Sequence, residues 1–558
     1  MRLIRKPAAL LCAAVILLLS FASCGDKNTV QDKTLNAGAE NITGNFNPFY
    51  AGSEGDRKVN AQIFRSIQRR GVDNSLINSA GSITYEYVGD TQVKYTVAIR
   101  DDLRFSDGSH VTIDDVIFFY YFIADATYDG IYGDFYLNDI AGLKEYYYDD
   151  TGYAAKIAEY SSADNPAGQI KKYIEKNYAD GIDVKEISGI TRVDDYTCTV
   201  LFNSRNINAI SELNAVIVSK AFYTAEYVKG AADKVKSFTT QTLGCGPYFL
   251  SAYDENSHKT ELKANPYYYD GSPAFSKLSF TDITGKDAAG MISSSKLDVV
   301  SMTADSQTIT KLNGSSLKYS ISNKDSYISL GINCRTLTDN AARRQIMKML
   351  DIYGVVEENF GSYYTRVYMP LSVRFKEYPE VSGPFYEGVA IPALISTEKS
   401  KFTLYCCFED DTPEYKVASE ISNEFKANGM ECTVKVCAYD ELASAVKSKK
   451  ADLWLTEIPD GATCDKYDYY HSAGAYNLCG ISDPQIDSLT DMIRKSTGFA
   501  DKKGLVENLL TAVMEQAAVM PLYQLQTVTV YNTETIDESA LADIADYDGY
   551  DYIIPELY

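Results

Sequence analysis

Apolar positions along this chain follow two rhythms, and the balance between them shifts partway. In 82–99, SITYEYV and QVKYTVAI alternate apolar with polar residues on either side of Gly89-Asp90, which predicts a β-hairpin. A second hairpin is predicted over 187–203, and residues 34–42 read as a first strand. Val59, Ile63 and Ile67 recur every four positions and predict a helix over 59–69. Thr112 with Asp115 three residues on is a capping-box start for a helix over about 113–124. Residues 244–280 read as two strands with a turn at each end. From 402 on, the order is strand 402–408, helix 413–427, strand 431–438, helix 440–449 and strand 451–457. That succession predicts parallel strands with crossover helices. The last part gives a helix over 503–518 and then the strand-like LYQLQTVTVYN.

The chain has 558 residues, whereas single cores stop growing at roughly 250–300, so two or three lobes are expected. Asp+Glu number 76 against 53 Lys+Arg, a net charge of −23. So acidic a surface repels phosphate backbones and excludes nucleic acid as a partner. His110, His258 and His471 stand far apart, and no metal or cofactor is expected.

The N-terminus reads as an address. Arg2, Arg5 and Lys6 precede an apolar run to Leu19, and small residues lead to Cys24. Phe21-Ala22-Ser23-Cys24 resembles the bacterial lipobox, which implies a signal peptide over 1–23, lipidation of Cys24 and a polar tether to residue 33. The expected location is extracytoplasmic, anchored to the cell membrane. Nine cysteines follow Cys24, an odd number; Cys464 and Cys479 are a candidate bridge.

No hydrolase or phosphate motif stands up. G-x-S-x-G, H-E-x-x-H and the P-loop are missing, and the S-x-x-K matches at 293–296 and 315–318 lack a following KTG box. No catalysis is expected.

Several blocks resemble one family, the extracellular solute-binding proteins of family 5, the oligopeptide- and dipeptide-binding subunits of ABC importers. LRFSDGSHVTIDDVIFFYYFI (103–123) is similar to its "+F-DG-PVTAEDV-FSY" block. GCGPYFLSAYDENSHKTELKANPYYYDG resembles "GTGPY-L--Y--------R-N-YYW-G", and NLCGISDPQIDSL (477–489) resembles "N--GYSNPE-D-L". In 326–372, Asn333, Arg344, Asp351 and Gly361 match a further block. The resemblance implies a mixed α+β, periplasmic-binding-protein-like fold: two large lobes closing about a hinge, plus an inserted third lobe. The boundaries it implies are lobe I over 34–68, 191–320 and 516–558, lobe II over 69–190 and lobe III over 321–515. It also implies a monomer that takes a short peptide as an added strand between the lobes and delivers it to permease and ATPase subunits.

Carried onto this chain, the lobe I contact segment is Ser53-Glu54-Gly55-Asp56, and the lobe III contact strand runs through Glu457, Ile458, Pro459 and Asp460. The family's "W--DY-DP" run, whose Asp pairs with the ligand α-amine, is missing here. Asp465, Asp460 and Glu457 are the candidate anions, and a sugar, an opine or a metal chelate remain alternative ligands to a peptide. Trp454 is either a core residue or a ligand wall, its side chain directed opposite to Leu453 and Leu455. Arg366 is a candidate partner for a ligand carboxylate.

Overall fold

The computed structural model describes residues 31–536, apart from 72–74, 163–164, 226, 316, 462 and 497–501. The signal segment, Cys24 and residues 537–558 lie outside the described residues.

A sheet of twelve strands runs through most of the molecule, and one strand joins its two halves. Val519–Tyr531 is thirteen residues long. Its first part pairs antiparallel with Ser326–Ile332, through Ile328–Gly331. Its later part pairs antiparallel with Lys318–Asn323 and with Val299–Thr303. Lys324 and Asp325 link Lys318–Asn323 to Ser326–Ile332, so two adjacent stretches of backbone cross together between the halves. Lys324 N donates to Leu525 O at 3.0 Å, and Gln524 Nε2 donates to Lys324 O and to Ser372 Oγ.

On one side of the crossing, Gln31–Ala39 pairs parallel with Phe275–Asp282 and Val299–Thr303, and Lys259–Ala264 and Tyr248–Asp254 continue the sheet. The region 244–280 therefore supplies three strands rather than two. A separate four-stranded sheet holds the first hairpin, Gly81–Val88 and Gln92–Ile99, with Thr197–Phe202 and Ile190–Arg192. One hydrophobic core runs under both sheets, from Leu35 and Leu278 to Val97 and Phe202. The strands of the two sheets thus share one core. The capping box forms as read: helix Ile113–Ile123 starts at Thr112, whose N–H donates to Asp115 Oδ2 at 2.8 Å.

On the other side, Lys401–Cys406 pairs parallel with Glu431–Val436 and with Leu453–Pro459, as the strand–helix succession predicts. Leu453–Pro459 then pairs antiparallel with Ser326–Ile332, so this sheet is mixed. Its two faces pack different cores, with Leu453 and Leu455 in one and Trp454 in the other. Helix Pro413–Ala427 is capped by Thr412, and the chain turns out of it at Gly429, where φ is +78° and a side chain would be strained.

The helix expected over 59–69 is found at Glu54–Ile63. Ser53 Oγ accepts from Asp56 N at 3.2 Å and starts it early, and Phe64 leaves it in an extended conformation. Ile67 is buried but lies beyond the helix, and its carbonyl accepts from Gly81 N at 2.8 Å. No helix among the described residues is long and apolar enough to cross a membrane.

Candidate functional site

Beside the strand crossing lies a cavity of about 680 Å³ to which both halves contribute. Helix Glu54–Ile63 presents Glu54, Arg57 and Lys58 to it. Ser301, Thr303 and Asp305 come from the strand Val299–Thr303 and the turn after it, Lys324 and Ser326 from the crossing, and Glu457 from Leu453–Pro459.

The cavity carries charge of both signs. Lys58 Nζ lies 3.0 Å from Glu54 Oε1. Burial works to raise the Glu54 carboxyl, but Lys58, aided by Lys324 and Arg57, outweighs it and holds the group below its ordinary range. Ser326 Oγ donates to Glu457 Oε1 across the strand pair. Nearby, burial pushes the Glu414 carboxyl up, with Lys324 opposing and Glu457 adding to the rise. Among the described residues no cluster of His, Cys, Asp and Glu is composed to hold a metal ion.

Glu457 also belongs to an open backbone edge. Lys401–Cys406 pairs with Leu453–Pro459 only as far as Leu455. Thr456–Pro459 continues to pair on its other side, with Ser326–Ser329. The edge left free is short, and Pro459 offers it no N–H.

The structure sorts the residues singled out from sequence. Glu54 and Glu457 face the cavity. Ser53 caps the helix. Gly55 packs where a Cβ would come within 2.5 Å of Glu40 O, so its role is close approach. Asp56 is buried and accepts from Thr43 N at 2.9 Å and Gly44 N at 3.1 Å. Trp454 is 3% exposed, a core residue opposite Gly331, and Ile458 lines the same small void of about 30 Å³ beside it. Arg366 lies outside the cavity lining, with its guanidinium 3.8 Å from the centre of the Tyr353 ring.

Asp460 and Asp465 already have partners. Asp460 is buried against Lys466 Nζ and accepts from Ser372 N. Asp465 accepts from Arg494 Nε and from Asn208 Nδ2, both at 2.7 Å. Asn208 belongs to the first half of the molecule and Asp465 to the other. Ile207 N donates to Arg494 O at 2.7 Å beside them. These contacts form a clasp between the halves away from the strand crossing. Their place in the family's contact region singled out both acids, whereas Lys466 from the same loop and Arg494 from a later helix already hold them. Sequence reasoning missed Lys58, Lys324 and Ser326. The spacing of Glu54, Lys58 and Ala61 is the helical signal that points to them once the helix is placed correctly.

All nine cysteines beyond Cys24 are free thiols, so the candidate Cys464–Cys479 bridge is not formed. Both are buried.

Comparison with known proteins places this architecture. An oligopeptide-binding protein, OppA, of Lactococcus lactis subsp. lactis is 25% identical over 219 residues, which is 38% of this chain and 31% of that protein. The chain thus matches about a third of the length of this curated relative. The crystal structure of the ABC transporter substrate binding protein CtaP from Listeria monocytogenes superposes with a TM-score of 0.71 at 16% identity, over 94% of this chain and 99% of that one. The oligopeptide-binding protein AppA from Bacillus subtilis, solved in complex with a nonapeptide, gives 0.68 at 16% identity, over 95% and 99%. Residues 84–477 match the family described as bacterial extracellular solute-binding proteins, family 5 Middle. With most of its length inside that match, the chain belongs to the family 5 extracellular solute-binding proteins.

Proposed function

We propose that this protein captures a short peptide in the cavity beside the strand crossing and delivers it to the permease and ATPase subunits of an ABC importer, held outside the cytoplasm by a lipid on Cys24. The observation that carries the reading is the pairing of an open strand edge with a two-signed cavity. Thr456–Ile458 can bond a peptide main chain as an added strand. Glu54 and Glu457 suit its ammonium end. A volume of about 680 Å³ holds a few residues with water. Asp460 and Asp465 are occupied by Lys466 and Arg494, which leaves Glu457 as the candidate anion on the lobe III side. The two crossing strands bend on closure and the clasp engages at the far side. The role is binding and release, with no bond made or broken.

Native mass spectrometry of residues 25–558 purified from cells, followed by denaturation and sequencing of what is released, tests the reading. Short peptides support it. A released sugar, opine or metal chelate overturns the peptide assignment and leaves a family 5 binder of another solute.

A further inference from the structure

We propose that a second pocket, on the first lobe, binds a carboxylate carried by the same ligand, as an acidic side chain or as the free C-terminus; this rests on the peptide reading above. The pocket encloses about 350 Å³. Arg57 and Ala61 of helix Glu54–Ile63 line it and also line the interlobe cavity, so the two spaces meet along that helix. An arm of a peptide lying in the cleft reaches the pocket over Ala61.

The lining combines an apolar floor with guanidinium groups. Phe64, Ile131, Tyr132 and Tyr268 supply the floor. Arg65 donates to Phe64 O at 3.2 Å, to Tyr268 Oη at 3.3 Å and to Ala61 O. Arg57 Nη1 donates to Gly52 O at 3.0 Å. Neither guanidinium forms an ion pair with a carboxylate among the described residues. The one acid in the lining, Asp270, is exposed. In a chain with 76 acidic and 53 basic residues, two neighbouring guanidiniums with no carboxylate in ion-pair contact are against the composition. A ligand carboxylate supplies the missing counter-charge in the bidentate geometry guanidinium favours. Gln68 adds a second requirement. It is 6% exposed, its Nε2 donates to Asn78 Oδ1 at 3.0 Å, and its Oε1 has no donor. That buried acceptor in the lining matches a peptide N–H next to the carboxylate.

Four matched hexapeptides test this by titration calorimetry against residues 25–558: polyalanine carrying one Glu or one Gln, each with a free or an amidated C-terminus. The expected result is about tenfold tighter binding of the free-carboxylate form or of the Glu form, whichever group reaches the pocket. In Arg57→Gln and in Arg65→Gln that ratio falls toward one, and Arg57 is exposed enough for its variant to fold. Equal affinities for all four peptides, or a ratio unchanged in both variants, overturn the inference while the peptide reading stands. Binding of none of the four overturns the peptide reading and this inference with it.

Discussion

Asn208 donates from Nδ2 to Asp465 Oδ2 at 2.7 Å, and the two residues belong to opposite halves of the molecule. The bond tells against Asp465 as a free anion for a ligand amine and makes it a contact between the halves. Asn208→Ala removes the donor without stranding a charge, because Arg494 stays on Asp465. Losing one charge-assisted bond shifts the closed-to-open ratio about tenfold. The expected outcome is a larger radius of gyration without ligand, seen by small-angle X-ray scattering, and faster ligand release with an unchanged melting temperature.

Glu457 and Glu54 face the cavity with charge to offer. Glu457→Gln is expected to weaken a peptide with a free α-amine about tenfold and to leave its N-acetylated counterpart unaffected. If both peptides weaken equally in titration calorimetry, Glu457 does not hold the amine.

Gly331 stands directly opposite Trp454 in the strand pair, and a Cβ there would lie 2.1 Å from the indole. Gly331→Ala forces the ring out of its place in a packed core and costs about 1–3 kcal/mol. Trp454 is the only tryptophan, so its fluorescence reports this site alone. A lower urea midpoint and a red-shifted emission maximum are expected.

Cys407 and Cys437 follow adjacent parallel strands, and their Sγ atoms lie 4.0 Å apart. Oxidised glutathione converts the two thiols into a disulfide, their two hydrogens and electrons passing to glutathione, which leaves as thiol. Burial pushes the Cys437 thiol up to about 12, so the exchange is slow at neutral pH and quickens as pH rises. The product closes a loop about 30 residues long and is stabilised by about 3–4 kcal/mol. Peptide mapping shows the cross-link, and Cys437→Ser abolishes the gain in melting temperature.

Asp149 accepts from Asp183 N at 3.0 Å and Val184 N at 2.9 Å, and Lys229 Nζ lies 2.8 Å away. Burial works to raise its carboxyl, but Lys229 and the two N–H groups outweigh it and hold it below its ordinary range. A depressed native value means the unfolded chain binds the proton more tightly. The contribution is fully present above the unfolded value of about 3.9 and is lost as pH falls through the native one. Asp149→Asn is therefore expected to lower the urea midpoint at pH 7, with the gap to wild type closing below about pH 4.

Where sequence reasoning held, local chemistry and tertiary packing agreed. Thr412-Pro413 opens a helix and Gly429 closes it, and Val417, Ile421 and Phe425 share its buried face. Where it slipped, an apolar period outran its helix. Ile67 continues the spacing of Val59 and Ile63, but Phe64 has already left the helix so that Gln68–Arg70 can pair with Leu76–Asn78. That shift hid Lys58 from the site. Nor does a run such as LYQLQTVTVYN state that its two ends serve different halves of one sheet. Pairing partners two hundred residues away decide that.

The strand Val519–Tyr531 completes both halves of the large sheet, yet it is made about two hundred residues after the strands it pairs with. During synthesis from the N-terminus, neither half can finish until residue 519 onward is available. Before then Ser326–Ile332, Lys318–Asn323 and Val299–Thr303 carry unpaired edges where Val519–Tyr531 belongs. The four-stranded sheet, whose strands all lie between 81 and 202, can assemble early. A nascent chain of this kind keeps both halves open until that strand emerges, a state that needs an escort against aggregation while it lasts.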